Sequence, residues 1–349
     1  MIAAVRRAVA WHPALMAVAG LMVASTVVCL VGLVVDPRTI LGAPAWAKPL
    51  KFSLSILLYA VTWAWLIAHL PKWRTLARRL GTVVAVALVV EQVLIVWAAA
   101  TGTTSHFNVS NSVHVVVWAV MAVAITTLYL CTFVTSIALF FLRLPTPALT
   151  VAVRAGAVIA LLGIGVAFLM TGPTPTQLTA PDGIVGAHTV GIADGGPGVP
   201  LLGWSTVGGD YRVAHFVGMH ALQVLPLVAL LVAAAGRHLP WLAEPTAQVR
   251  IVVVVAVAWA AGTVLLTVQA AVGQSVVPPA GAVGAVAWSL VVLAATASRP
   301  GALGRSGRRQ HGLPSPTRGD RSRTSSRNSS RPAPCTRRRA PRAAVGRSA

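Results

Sequence analysis

A single carboxylate, Glu91, sits inside an apolar run spanning residues 81–100, and no other acid falls within any such run of the chain. If that run is a membrane-crossing helix, Glu91 lies about ten residues, hence ~15 Å, from its start and close to the bilayer midplane. A charged group there costs roughly 2.5–3.5 kcal/mol on insertion scales, so such residues turn toward the protein interior and carry function. Gln92 is its neighbour but points ~100° away around the helix. A later run, 211–235, carries Arg212, His215, His220 and Gln223. His220 and Gln223 are three apart and share a helix face, at a depth like that of Glu91.

This set supports two chemistries. A midplane carboxylate beside neutral histidines can relay protons. Histidines from neighbouring helices can hold a metal ion or a haem iron, with His114, His215 and His220 as the candidate ligands. The spacing of His215 and His220 is i, i+5, which does not place both imidazoles on one face as i, i+4 would, so ligation needs His114 or another helix. Plain interhelical hydrogen bonding accounts for the same histidines without any ligand.

Further polar residues gather toward one side of the runs: Lys48, Lys51, His106, Asn108, His114, His188, Asp194, Asp210 and Arg212. They read as an outer vestibule leading to an intramembrane site of Glu91, Gln92, His215, His220 and Gln223. No phosphate loop, nucleotide fingerprint, nucleophile elbow or pair of catalytic carboxylates accompanies them. The chemistry therefore leans away from an enzyme, and no cofactor is firmly implied beyond the haem or metal alternative.

The elements that must position these groups are membrane helices. The 349 residues are 56% hydrophobic and 10% charged, with mean hydropathy +0.77, against roughly 25% charged in soluble domains. Runs long enough to cross ~30 Å of hydrocarbon occupy 14–35, 50–70, 81–100, 113–142, 151–171, 211–235, 251–272 and 280–298. The expected fold is an all-α polytopic transmembrane bundle of about eight spans over residues 1–298. Continuous apolar runs exclude barrel strands, which alternate.

Arg6 and Arg7 precede the first run, which is longer than the ~7–15 residues of a cleavable signal core, so it reads as an uncleaved span. With the N-terminus inside, ten Lys/Arg fall in cytoplasmic segments and four (Arg38, Lys48, Lys51, Arg212) outside. This positive-inside bias predicts a multi-pass plasma-membrane protein with both termini cytoplasmic. The outer link 172–210 is long and rich in Gly and Pro, and reads as an ordered cap. The three cysteines, Cys29, Cys131 and Cys335, have no paired spacing.

Residues 299–349 hold 14 of the 28 basic residues against one acid, Asp320, so the tail carries +13 of the net +21. Its Arg, Ser and Pro content predicts disorder. The lipid bilayer is the expected partner, and anionic headgroups could attract the tail. Nucleic acid binding is a weaker reading of its Arg/Ser segments. All 14 basic residues are Arg, a bias that a frame-shifted end of a GC-rich gene would also produce.

Several segments resemble a family of bacterial multi-spanning membrane proteins with no assigned function. They are Gly42-Ala43-Pro44-Ala45-Trp46-Ala47-Lys48-Pro49-Leu50-Lys51-Phe52, Ser105-His106-Phe107-Asn108, Gly186-Ala187-His188-Thr189-Val190-Gly191, and the stretch from Gly209-Asp210-Tyr211-Arg212 through His215 to Gln223. The resemblance implies fold and location only, and stops before the tail. The functional expectation rests on the residues: binding or transport of a small solute through an outward-facing polar cavity, with proton coupling through Glu91. A haem- or metal-dependent redox protein, or a structural or sensory membrane protein, is the alternative.

Overall fold

The computed structural model describes residues 2–277 and 281–297. Position 298 and the tail from 299 onward, with its expected disorder and partners, lie outside the described residues. The helices are α1 (Ile2–Trp11), α2 (Pro13–Val35), α3 (Ala47–Ala68), α4 (Arg74–Thr101), α5 (Ser112–Leu139) and α6 (Pro147–Val166), the last extended by a 3-10 turn, Ala167–Met170. They continue with α7 (Pro175–Thr179), α8 (Tyr211–Met219), α9 (Ala221–Ala235), α10 (Pro240–Ala243), α11 (Pro245–Ala271) and α12 (Gly281–Ala297). Among the described residues strands are confined to two short ribbons, β1 (Thr39–Ile40) with β2 (Ala43–Pro44) and β3 (Thr189–Val190) with β4 (Gly209–Asp210), both antiparallel.

Local chemistry sets the helix starts. Proline at the first position costs no hydrogen bond there, and α2, α6 and α11 all begin on one. His12, Asn111, Thr146 and Asp210 cap α2, α5, α6 and α8 by accepting a backbone N–H of the first turn. Helices α4, α6 and α11 start four to seven residues before the apolar runs that announce them. Arginine ends an apolar run but is a good helix former, so Arg74, Arg78 and Arg79 continue α4 beyond the hydrocarbon.

Among the described residues six helices are long and apolar enough to cross a membrane, and seven if α8 and α9 form one span. The eighth expected span corresponds to α12, which has only 17 residues. The sixth expected span is not continuous: α8 and α9 meet at a 47° bend. The carbonyl of Val217, which an unbroken helix would pair with Ala221, accepts the Trp259 indole N–H at 2.9 Å. A side chain inserted into the backbone ladder is a recognised cause of kinks, and Pro226 removes a further donor from α9.

Packing divides the helices into two sets. α2, α3, α4 and α5 pack on one another, and α6 packs on α8, α9 and α11; the sets meet where α5 touches α6 and α3 touches α9. Helices in lipid associate through close packing and hydrogen bonds, since lipid is as apolar as leucine. Gly163 of α6 and Gly218 of α8 meet so closely that a Cβ on Gly163 would run into the backbone of Met219. Outward faces carry exposed Val23, Val27, Val86, Val123 and Leu230, as a lipid-facing surface requires.

Links 36–46, 102–111, 171–210 and 272–277 share one end. Arg38 donates to the carbonyls of Ala99 and Ala100, Lys51 to that of Leu202, and Ser275 to that of Ser205. Asn108 bridges to Ile184. At the opposite, basic end, Arg78 donates to Trp11 O and Arg154 to Leu142 O, and Lys72 lies over the Phe141 ring.

Candidate functional site: a polar vestibule at the loop-rich end

The long link is ordered by its two aspartates. Asp194 accepts the N–H groups of His188 and Thr189, the Thr189 hydroxyl, and His188 Nδ1–H at 2.5 Å. Burial opposes the charge of Asp194, but these bonds, led by that from His188, hold its carboxyl below the ordinary range. Burial lowers His188 in turn, partly offset by Asp194. Asp210 caps α8 by accepting Arg212 N–H, accepts Ser205 N–H at 2.8 Å, and pairs with the Arg212 guanidinium at 2.6 Å. Arg212 also donates to Gly203 O at 2.6 Å.

Around this frame the expected residues come together. Lys48 Nζ is 3.2 Å from His106 Nδ1, and Ser105 Oγ is 2.9 Å from the same nitrogen. An ammonium can only donate, so the imidazole offers its lone pair there and carries its proton on Nε2. Burial, reinforced by Lys48, pushes His106 well below the usual imidazole pKa. The His106 ring lies against Phe52, Phe107 and Trp118, and Phe107 against His188. Phe107 has φ +66, a conformation costly for an aromatic residue and tolerated where surrounding contacts impose it.

Lys48 interacts electrostatically with Lys51, Glu91, Asp194 and Arg212. His215 lies within electrostatic range of both His188 and His220. His215 Nδ1–H donates to Gly163 O at 2.8 Å, and His220 Nδ1–H to Phe216 O at 2.8 Å. Each therefore keeps Nε2 as an acceptor, that of His220 standing 3.5 Å from Ser55 Oγ. Below lies a narrow cleft between the two helix sets, bordered by Ser55, Tyr59, Thr132, Ser136, His220 and Gln223. Its open volume is about 10 Å³, enough for one water.

Glu91 is 3% exposed, and its Oε1 has no protein partner. The hydrogen bond to Gln223 that its depth allowed is not formed; Gln223 Oε1 is also unpaired. Gln92 faces elsewhere: its Nε2 donates to Ser25 and Ser53 hydroxyls at 2.9 Å, tying α2, α3 and α4 together. Asn108 closes a turn by accepting Ser110 N–H and Oγ–H. His114 stands apart from the vestibule, against Trp97 and hydrogen-bonded with Asn111. Among the described residues no group of three His, Cys, Asp or Glu is placed to hold a metal ion, so the trio of His114, His215 and His220 is not assembled.

Sequence reading missed Ser55, Tyr59, Thr132 and Trp259, whose polar atoms do their work inside helices that look uniformly apolar. Tyr59 and Thr132 hydroxyls pair at 2.6 Å across α3 and α5. It also missed the Asp36 cluster, where Asp36 accepts Arg38 and the Trp46 indole. Asp36 is thereby held below, and Arg38 above, its ordinary pKa. The signal available was the Asp-x-Arg spacing at the end of an apolar run. Compared with known families, curated proteins and solved structures, the chain matches none.

Proposed function

We propose that this chain is a multi-pass plasma-membrane protein that binds a small solute in the vestibule and passes it toward the cleft, with Glu91 exchanging the coupled proton. α12 then forms the eighth span, and both termini lie in the cytoplasm with the loop-rich end outside. The observation that carries this reading is the gathering at one end of the bundle of Lys48 with His106, His188 with Asp194, and Lys51 and Arg212 on the successive carbonyls of Leu202 and Gly203. Helix ties alone would not require so many ionisable groups gathered at one end. A midplane carboxyl with an unpaired oxygen is suited to taking up and releasing a proton.

The test is Ser55→Cys in a chain freed of Cys29, Cys131 and Cys335. In intact cells a small polar, membrane-impermeant thiol reagent labels it if the cleft opens outward. Absence of labelling, with full labelling after denaturation, overturns the reading. Reporter fusions in link 171–210 and at Arg237 check the sidedness independently.

A further inference from the structure

Lys48 and Lys51 sit where simple electrostatics disfavours them. The first turn of a helix carries partial positive charge, so a cation there is unfavourable. Both lysines occupy the start of α3, three apart on one face, and α8 repeats the pattern with Arg212 in its first turn. The three cations then converge. Lys51 Nζ and Arg212 Nη2 dock on successive carbonyls, Leu202 O at 2.7 Å and Gly203 O at 2.6 Å. Those carbonyls are presented by left-handed residues on either side, Gly203 at φ +67 and Leu201 at φ +64. For leucine that conformation is strained. Lys48 interacts with both other cations.

Neither aspartate of the cap has capacity left for the lysines, and Glu91, with which Lys48 interacts, forms no ion pair with it among the described residues. An ionised carboxyl offers about four acceptor sites, and Asp194 and Asp210 each already accept four or more hydrogen bonds. Among the described residues neither lysine forms an ion pair. Each ammonium has one hydrogen bond, to His106 or to Leu202 O, out of the three it can donate. Arg212 Nη1 makes none of that residue's hydrogen bonds to Asp210 or Gly203. Beside Lys48, the His106 ring packs between the rings of Phe52 and Trp118, an aromatic cluster next to the ammonium.

We propose that Lys48, Lys51 and Arg212 form the binding site of a small organic carboxylate, its head on the cations and its carbon body against the aromatic cluster. This deepens the solute-cavity reading and rests on it. The test is thermal unfolding of the purified full chain with sodium benzoate, acetate or phosphate against chloride at equal ionic strength. Benzoate is expected to stabilise the wild type saturably and more than phosphate does. Its apparent affinity should fall about tenfold or more in Lys48→Gln and in Lys51→Gln, and be unchanged in Arg237→Gln. Equal stabilisation of wild type and both lysine variants overturns the site, and a lysine variant that does not fold leaves the other to decide. Phosphate acting more strongly than benzoate overturns the carboxylate assignment in favour of a free inorganic anion. If no oxyanion acts while Ser55→Cys is labelled from outside, the anion site falls and the cavity survives; if Ser55→Cys is also unlabelled, both fall.

Discussion

The two ends of the bundle handle charge in opposite ways. At the loop-rich end all three ion pairs among the described residues are made: Asp36 with Arg38, His188 with Asp194, and Asp210 with Arg212. At the basic end, ten Lys/Arg face a single acid, Glu244, and form no ion pair among the described residues. One end spends its charges on internal geometry. The other turns its cations on backbone carbonyls and a ring, as Arg78, Arg154 and Lys72 do, and makes no ion pair with them among the described residues. A charge count alone cannot separate these roles; hydrogen-bond partners can.

The largest expected effect of breaking this contrast is at Asp210. Asp210→Ala leaves Arg212 without its partner and removes the cap of α8, at a cost of about 3–5 kcal/mol, read as a large drop in unfolding temperature and folded yield. Gln92→Leu should cost about 1–2 kcal/mol by cutting the tie among α2, α3 and α4, with Ser25 and Ser53 still 2.9 Å apart to satisfy each other. Glu91→Gln should change stability by less than about 1 kcal/mol, since the carboxylate has no hydrogen-bond partner to lose. It should nevertheless abolish the pH dependence of solute movement in proteoliposomes. The smallest effect, within about 0.5 kcal/mol, is expected for Arg237→Gln at the basic end. A loss there comparable to that of Asp210→Ala would erase the distinction between the ends.

Acidification sharpens the contrast. His106 and His188 both have folded pKa values below the ordinary imidazole value, chiefly through burial. The unfolded chain then binds more protons below about pH 6.5, so stability falls as pH drops from there toward the folded values. Asp194, held low, contributes stability that is present above the usual carboxylate range and lost at still lower pH. His12 at the basic end is lowered by burial as well. Unfolding temperatures measured from pH 7.5 to 5 should flatten more in the His106→Gln/His188→Gln double variant than in His12→Gln. The reverse ranking would move the pH-sensitive structure to the other end.

Most of this architecture was legible in the residues because a membrane helix must be apolar throughout. Runs 14–35 and 280–298 match α2 and α12 to within a residue. The break at His220 was not legible. It depends on Trp259, which is 42 positions from the carbonyl it binds, and no local pattern encodes that meeting. Ionisable residues in apolar surroundings stand out in a sequence, which is how Lys48, His106, His188 and Arg212 present themselves as candidates without their hydrogen bonds. His114 meets Trp97 and Asn111, a placement that helix depth, which sequence supplies, does not specify, since depth says nothing about which neighbour a helix face meets. Gln92 was grouped with Glu91 by adjacency, although the ~100° turn between successive residues sends them into different seams.

The broken span has a mechanical consequence. A continuous helix transmits an axial push from one membrane face to the other as a rigid rod. Here the nine-residue α8 ends on a backbone carbonyl held by a tryptophan of α11, so the hydrogen-bond ladder is interrupted at the 47° bend and α8 and α9 are not one rigid rod. α6 packs on both pieces, so the two parts of the broken span share one clamp on either side of the bend.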